Sequence, residues 1–344
     1  MSPRCLLPRL CALLAWLPLG GCYVLQAAHG QYEVMRQAVP ISAVLADAGT
    51  SSATRAGLER VQAARNFAVV ELGLPDSRSY RSYADLGRPH VVFNVVATDE
   101  FSVEPRRWCF PVAGCVAYRG YFDEQRARDY ALKLSIRGDD VSVGGVPTYS
   151  TLGHLPDPVF GPMLQWRETR LVGTIFHELA HEQLYFKGDS EFNEAFASVV
   201  EQAGVRQWLE MSGRQAELDH VRLEALRELQ FSELLRETRS RLAALYRTGL
   251  DADAMRSEKQ REFGRLKFAY EQLRARWGGY AGYDGWFTRP LNNARLAAVA
   301  TYRDCMPGLQ RMLDEARSLP AFYERMAELG RLSPQQRHAQ ACAP

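Results

Sequence analysis

The amino-acid sequence predicts a mainly helical α+β protein, in which long helices accompany a small antiparallel or mixed sheet. Helical periodicity dominates from about residue 165 onward, whereas residues 90–97 form one short β-branched run. The chain has 344 residues, 47% of them hydrophobic and 24% charged, which are the proportions of a globular protein. Its formal net charge of +2 gives no electrostatic signature for nucleic acid, so we expect no nucleic-acid partner.

The first 22 residues have the features of an export signal. Two arginines supply positive charge, and the apolar stretch Leu10–Leu19 is too short to span a bilayer. The stretch runs into Gly20-Gly21-Cys22, and the whole segment resembles a bacterial lipoprotein signal with its lipobox. The resemblance implies that residues 1–21 are removed and that a lipid on Cys22 anchors the chain to a membrane. The alternative is a plain secretory signal that is cut near Gly21.

The residue after Cys22 refines the expected location. It is Tyr23 rather than Asp. In a Gram-negative organism the resemblance to lipoproteins then implies the outer membrane, with the protein facing the periplasm of the cell envelope.

The cysteine count agrees with an exported protein. Of the seven cysteines, two lie in the predicted signal and Cys22 is the predicted lipid site, which leaves four. An even set in an oxidising compartment predicts two disulfides. Cys109 and Cys115 flank a short Pro-Gly segment, so a local bridge is expected, and Cys305 then pairs with Cys342. Four free thiols are the alternative.

The mature chain, residues 22–344, is predicted to be a single domain with a β-containing part (22–160) and a helical part (161–344). Helical spacing of Leu58, Val61, Phe67 and Val70 supports the first helical region, and glycine turn signals divide the strands. In chain order we expect a helical region at 25–75, a buried strand at 90–97, short antiparallel strands with one helix near 123–136 within 101–150, and helices at 165–186, 190–212, 214–247, 251–275, 291–317 and 320–330.

Residues 205–275 are charge-rich with spaced leucines, and they predict a long helical hairpin that breaks near residues 248–251. Two interpretations stay open. The hairpin is either a solvated helix pair or an arm that contacts a partner or substrate.

The clearest chemical signal is His-Glu-Leu-Ala-His at residues 177–181, inside an apolar helix. At about 100° per residue, His177 and His181 lie on one helix face, so both imidazoles can reach one ion. Glu178 points to the side of the metal, where it can take a proton from the attacking water. The alternative is a pair of surface histidines on an amphipathic helix.

A zinc site of this type needs a third protein ligand and an open fourth position. Gly188 ends the first helix, and Asp189 or Ser190 is suited to capping the next one. The candidate ligands are three carboxylates of that helix, Glu191, Glu194 and Glu201. A helical hairpin that folds back on the first helix brings its carboxylate face to the histidines.

The segment Asn-Glu-Ala-Phe-Ala at residues 193–197 resembles the Asn-Glu-x-Phe-Ala segment of gluzincins, notably the zinc aminopeptidases. The resemblance implies a zincin-like pair of active-site helices, with Glu194 as the third ligand of one zinc ion and Glu201 as a supporting residue. The spacing departs from that pattern, because only twelve residues separate His181 from Glu194. Glu201, with nineteen residues between, fits a thermolysin-like spacing and is the alternative ligand.

A broader resemblance covers most of the mature chain, and it is to a bacterial group of predicted aminopeptidases. It rests on residues 108–111 (Trp-Cys-Phe-Pro), 118–122 (Tyr-Arg-Gly-Tyr-Phe), 149–153 (Tyr-Ser-Thr-Leu-Gly) and 291–294 (Leu-Asn-Asn-Ala). It implies a zinc-dependent peptidase with a peptide substrate. The Gly-x-Met-Glu-Asn segment by which the large zinc aminopeptidases bind an α-amine is absent, and Glu201 or Glu191 is the expected substitute.

The remaining site residues are expectations for substrate binding and for stabilising the oxyanion. Zincins often use a downstream Tyr or His for the oxyanion, which favours Tyr302. The other tyrosines considered for this role are Tyr280, Tyr283 and Tyr149. Zincins usually lay the substrate along an edge strand, here 116–122 or 146–151, so Arg119 and Tyr149 are candidates for contacting it.

Two other functions stay open at this point. One is an envelope endopeptidase, which differs only in the position of the cleaved bond. The other is a non-enzymatic lipoprotein in which the zinc is structural and the protein serves as a scaffold. Glu178 argues against a structural site, which has no use for that carboxylate.

Overall fold

Helices dominate the architecture, so the predicted mainly helical α+β class is confirmed. The structure is a computed structural model. It describes residues 21–110, 114–151, 154–300 and 305–342, and only the backbone of residues 21, 22, 299 and 300. Within these ranges, no helix combines the length and the apolar character that crossing a membrane requires.

The N-terminal region contains three helices rather than one continuous helical stretch. Pro40 lies in the break between the first two of these helices. Ser51 caps the third helix, because its side chain accepts a hydrogen bond from the backbone N–H of Thr54 at 3.1 Å. Leu58 and Val61 are buried as expected, whereas Val70 is exposed at the helix end. The elements are α1 (Gly21–Gln37), β1 (Val39–Pro40), α2 (Ile41–Ala46) and α3 (Ser52–Val70).

The middle of the chain forms three small sheets, ordered β1-β2-β8, β6-β3-β7 and β4-β5. The first is mixed, since β2 is antiparallel to β1 and parallel to β8, and the other two are antiparallel. The elements are β2 (Ser82–Ala84), β3 (Val92–Thr98), β4 (Trp108–Phe110), β5 (Gly114–Val116), β6 (Arg119–Tyr121), α4 (Glu124–Ser135), β7 (Asp140–Val146) and β8 (Val159–Phe160).

Strand β3 is apolar along nearly its whole length because both of its faces are covered. Val95 and its neighbours on that face pack against Ala127 and Leu134 of α4. On the other face, Val96 packs against Ala294 and Ala297.

The C-terminal half is helical, and the helices predicted at 165–186, 190–212, 214–247 and 251–275 are confirmed to within a few residues. The stretch expected as one helix at 291–317 is two helices in the structure, and a last helix beginning at Pro334 was missed although Ser333 caps it. The elements are α5 (Glu168–Gln183), α6 (Ser190–Met211), α7 (Gln215–Leu245), α8 (Ala252–Arg276), α9 (Asp284–Phe287), α10 (Asn293–Ala300), α11 (Met306–Ala316), α12 (Leu319–Leu329) and α13 (Pro334–Ala341).

The main hydrophobic core lies between α3, α5, α6, α11 and α12. Its largest fully buried side chains include Phe176 of α5, Phe196 of α6 and Phe322 of α12. A second cluster fills the base of the α7–α8 hairpin around Phe231 and Tyr270. The helices that carry the candidate metal ligands are therefore held by the largest core in the described part of the chain.

Both predicted disulfides are present. Cys109–Cys115 closes the β4-β5 hairpin, and Cys305–Cys342 joins the start of α11 to the end of α13. The predicted Cys305–Cys342 disulfide thus ties the C-terminal helix to the rest of the fold.

Candidate metal centre

The turn between α5 and α6 sets the geometry of the centre. Gly188 has a φ of +82°, a left-handed conformation that suits glycine. The buried side chain of Asn193 binds the backbone of Phe186 twice: its Oδ1 accepts from the N–H and its Nδ2 donates to the carbonyl, both at 2.8 Å. This clamp holds the turn short, which lets Glu194 fold back onto the histidines although only twelve residues separate it from His181.

The start of α6 is held differently from the capping that the sequence predicts. Asp189 occupies the N-cap position, but its buried carboxylate binds Arg337 and the Nε2 of His338, the latter at 2.7 Å. Both partners belong to α13, which sequence patterns did not predict. The first turn of the second active-site helix is therefore fixed to the C-terminal helix.

His177, His181 and Glu194 converge at the contact between α5 and α6. The Nε2 of His177 lies 3.4 Å from one carboxylate oxygen of Glu194, and the Nε2 of His181 lies 3.6 Å from the other. Hydrogen bonds of this kind are about 2.7–3.2 Å long, so both contacts are too long for strong ones. They match the distance of about 3.4 Å between neighbouring ligands of a tetrahedral zinc ion with bonds of about 2.0–2.1 Å.

Glu201 lies on the other side of the His177 ring. One of its carboxylate oxygens is 3.0 Å from Nδ1 of His177, whereas Glu194 faces Nε2. Gly173 leaves room for this carboxylate, because a Cβ at that position would come within 2.9 Å of it. A carboxylate on the second nitrogen of a histidine is typical of metal-binding histidines, whose orientation it fixes.

The donor set is one that zinc prefers. Two imidazole nitrogens and one carboxylate, all within 4.8 Å of one another, match a three-ligand catalytic site with an open position. Burial lowers the pKa of His181 to about 4, which favours the neutral imidazole that metals require. Burial also acts to lower the pKa of His177, but its contacts with Glu194 and Glu201 raise it well above the usual range, so a metal would displace a proton from that ring. The residues present therefore fit one zinc ion.

The carboxylates of the centre differ in protonation. Burial raises the pKa of Glu178 to about 7, and the nearby charge of His177 acts in the opposite direction. Burial also disfavours the charged form of Glu194, but the two histidines outweigh it and hold the pKa of that carboxyl below its usual range. Glu194 is therefore suited to holding a cation, whereas Glu178 is suited to exchanging a proton.

A buried polar network supports Glu178. The hydroxyl of Ser150 lies within hydrogen-bond reach of both Glu178 and the buried carboxylate of Asp157, the latter at 3.0 Å, and its single proton is donated to one of them at a time. The backbone N–H of Thr151 donates to the same Asp157 oxygen at 2.8 Å. The segment 149–153, quoted above for its resemblance, therefore contacts the candidate base through Ser150.

Tyr118 is a residue that the sequence analysis passed over. Burial, together with the nearby carboxylates of Glu194 and Glu178, raises the pKa of Tyr118 to about 12. Tyr118 lines two cavities, one of about 620 Å³ and one of about 230 Å³. The larger cavity also contains Glu191, one turn before Glu194. Tyr118 is the first residue of the 118–122 segment that carries the family resemblance, from which only Arg119 was predicted to contact the substrate.

None of the tyrosines predicted to stabilise the oxyanion is placed at the centre by the described residues. Tyr302 falls outside the described residues. Tyr280 and Tyr283 belong to the aromatic cluster of the hairpin, where Arg227 stacks on the first and Phe231 on the second. Tyr149 binds the side chain of Gln31.

Arg119 is placed in an aromatic cage. Its guanidinium lies 4.0 Å from the ring centre of Tyr23 and 4.5 Å from that of Tyr130. It belongs to β6, an outer strand of the β6-β3-β7 sheet, which lies within the region 116–122 expected to receive substrate. The other expected region, 146–151, is not an edge strand, because β7 ends at Val146.

Comparison with known proteins gives a family. The sequence profile of a family described as "Putative aminopeptidase" matches residues 22–341. The chain belongs to this family. The match covers nearly all of residues 22–344, in agreement with the predicted resemblance to this group. No curated protein and no solved structure matches significantly.

Proposed function

We propose that this member of the family is a zinc-dependent peptidase of the bacterial cell envelope that removes residues from peptide N-termini. The observation that carries the proposal is the convergence of His177, His181 and Glu194, with Glu178 adjoining the first histidine. The family description supports the aminopeptidase activity. A lipid on Cys22 would anchor the protein to the outer membrane, facing the periplasm.

The chain supplies the groups that peptide hydrolysis needs. His177, His181 and Glu194 would hold a zinc ion, which would supply a Lewis acid for polarising the scissile carbonyl. Glu178 accepts a proton from the attacking water and then donates it to the leaving amine. Ser150 holds the Glu178 carboxylate in position. Tyr118 donates a hydrogen bond to the carbonyl oxygen as that oxygen gains negative charge.

Glu191 is the favoured partner for the substrate amine. Glu201 contacts His177, whereas Glu191 lines the cavity of about 620 Å³ beside Tyr118. An acidic group in that cavity can bind the free α-amine of a peptide whose first peptide bond reaches the centre. On this placement we favour an aminopeptidase over an endopeptidase.

The test uses the soluble form that lacks residues 1–22, with Glu178→Gln as its matched variant. Both proteins are assayed for bound metal and then incubated with a mixed peptide library, with products read by mass spectrometry. We expect both to hold one equivalent of zinc. Glu178→Gln should lose activity by a factor of about 10²–10⁴, the usual contribution of a general base.

The position of the cuts separates the possible functions. Single residues lost from free N-termini, only with the wild type, support the proposal. Internal cuts would make the protein an endopeptidase. One equivalent of zinc without any cleavage that depends on Glu178 would contradict the enzymatic proposal and favour a zinc-containing scaffold.

A further inference from the structure

Helix α1 packs against the rest of the protein along one face. Gln26, Gly30 and Val34, spaced at four residues, are buried on this face. The Nε2 of Gln26 donates to the Gly120 carbonyl at 3.3 Å. The ring of Tyr23 stacks at 5.3 Å on that of Phe110. These contacts fix the rotation of the helix about its own axis.

The opposite face of α1 is apolar and exposed. Val24, Leu25, Tyr32 and Met35 are 57%, 69%, 61% and 45% exposed, and Ala28 between them is also exposed. At about 100° per residue these five side chains fall within one sector of about 100°, centred away from the packed face. Single exposed apolar residues are ordinary, but a continuous stripe opposite a packed face indicates a surface that something covers.

We propose that this stripe lies on the surface of the lipid bilayer. The inference rests on the lipid anchor of the proposed function, because Cys22 lies in the first turn of α1 and the stripe starts two residues later. At about 1.5 Å per residue, Met35 is only about 20 Å along the helix from Cys22, so an acylated Cys22 keeps the stripe beside the membrane.

The composition of the stripe suits the interfacial region of a bilayer. Leu25 and Met35 supply apolar area, and Tyr32 combines an apolar ring with a hydroxyl that can stay hydrated. Arg36 is exposed beside the stripe but pairs with Glu33 at 2.8 Å, so the local charge is largely balanced. Binding is therefore expected to depend on apolar area and to need no anionic lipid.

The rigid attachment of α1 gives this contact a consequence. The helix is fixed to β6 and to the ring of Phe110, so a helix lying in the interface orients the whole protein and not only its N-terminus. The lipid and the stripe together form two attachment points, which gives a single orientation of the metal centre relative to the membrane.

The test uses the mature chain, residues 22–344, with Cys22→Ser so that no lipid is attached. Flotation measures its binding to vesicles of phosphatidylcholine and to vesicles of phosphatidylethanolamine with phosphatidylglycerol. The variant Leu25→Gln with Tyr32→Gln removes the stripe. Its matched control is Leu226→Gln with Leu229→Gln, which changes two leucines of α7 that are 50% and 58% exposed.

We expect the parent and the α7 control to bind both kinds of vesicle, and the α1 variant to bind roughly tenfold or more weakly. Equal binding of all three proteins, or no binding of the parent, would overturn the proposal. So would a parent that forms a dimer in solution which the α1 variant loses, because the stripe would then join two copies. Hydrolysis of soluble peptides should be the same in all three, so a failed peptidase assay does not affect this result.

Discussion

The surroundings of single side chains decide the chemistry of the centre. His177 and His181 are the same residue type on one helix face, yet only His177 has a carboxylate on its second ring nitrogen. The Nδ1 of His181 is buried and without a hydrogen-bond partner among the described residues. Glu194 and Glu201 likewise share a helix face but have different contacts. Glu194 faces both histidines, whereas Glu201 contacts only the ring of His177.

Removing Glu194 and removing Glu201 should therefore affect zinc binding differently. We expect Glu194→Ala to lose stoichiometric zinc, because a ligand is gone. Glu201→Ala should retain zinc with an affinity about 10–100-fold lower, the usual effect of losing a carboxylate behind a ligand histidine. Competitive titration with a chromogenic chelator measures both, and the reverse order would move the ligand role to Glu201.

Tyr118 should affect turnover and not metal content. We expect Tyr118→Phe to lower kcat by roughly 10²-fold, since one hydrogen bond to the developing oxyanion is lost. Tyr280→Phe is the control, because that ring belongs to the hairpin cluster. Steady-state kinetics with a peptide substrate, together with zinc analysis, checks the prediction. Unchanged kcat in Tyr118→Phe would remove this residue from the mechanism.

At the scale of elements, α13 stabilises the helix pair that forms the centre. The Asp189 carboxylate at the start of α6 is held by Arg337 and His338, and the Cys305–Cys342 disulfide ties the end of α13 to α11. A short helix of eight residues is thus connected both to the start of α6 and to the start of α11.

Removing the two disulfides should have unequal effects on stability. Cys305 and Cys342 are 37 residues apart, whereas Cys109 and Cys115 are 6 apart. The chain-entropy relation gives losses in the free energy of unfolding of about 4 kcal/mol and about 2 kcal/mol for replacing each pair with alanine. Urea unfolding of the two double variants tests this order. Equal losses would show that α13 is held mainly by its other contacts.

At the scale of the whole molecule, a buried polar network joins the helical hairpin to the β6-β3-β7 sheet. The Nζ of Lys259 on α8 lies 2.7 Å from an Asp140 oxygen of β7 and donates to the Glu100 carbonyl at 2.8 Å. Asn293, from the 291–294 segment of the family resemblance, donates to the same carbonyl at 2.9 Å and accepts from Tyr246 of α7. The 291–294 segment therefore links the helical hairpin to the loop that follows β3.

Metal binding should stabilise the whole fold, because the ligands come together only when α5 and α6 pack. At free zinc about a thousandfold above its Kd, the free energy of unfolding should rise by ~4 kcal/mol. Differential scanning calorimetry with and without chelator measures the change as a higher Tm. His177→Ala should show no such shift, and an equal shift in that variant would mean that zinc acts at another site.

The sequence by itself determined what depends on local periodicity and residue chemistry. Helical spacing places both histidines on one face of α5, and the number and spacing of the cysteines give both disulfides. The predicted helix stop at Gly188 was wrong, because α5 already ends at Gln183 and Gly188 lies in the turn that follows. The helix pair, the hairpin and β3 follow from the same patterns, because one repeating pattern identifies each element.

Only the tertiary structure decided which distant residues meet at the centre. It brings Tyr118 in from the loop before β6 and turns Asp189 from a cap into a partner of α13. It also brings Glu194 to the Nε2 atoms, the arrangement that the resemblance implied but that the spacing left open against Glu201. Periodicity fixes angles within one element. The contacts between elements depend instead on how cores, tight turns and buried polar groups pack together, and no local pattern contains that information.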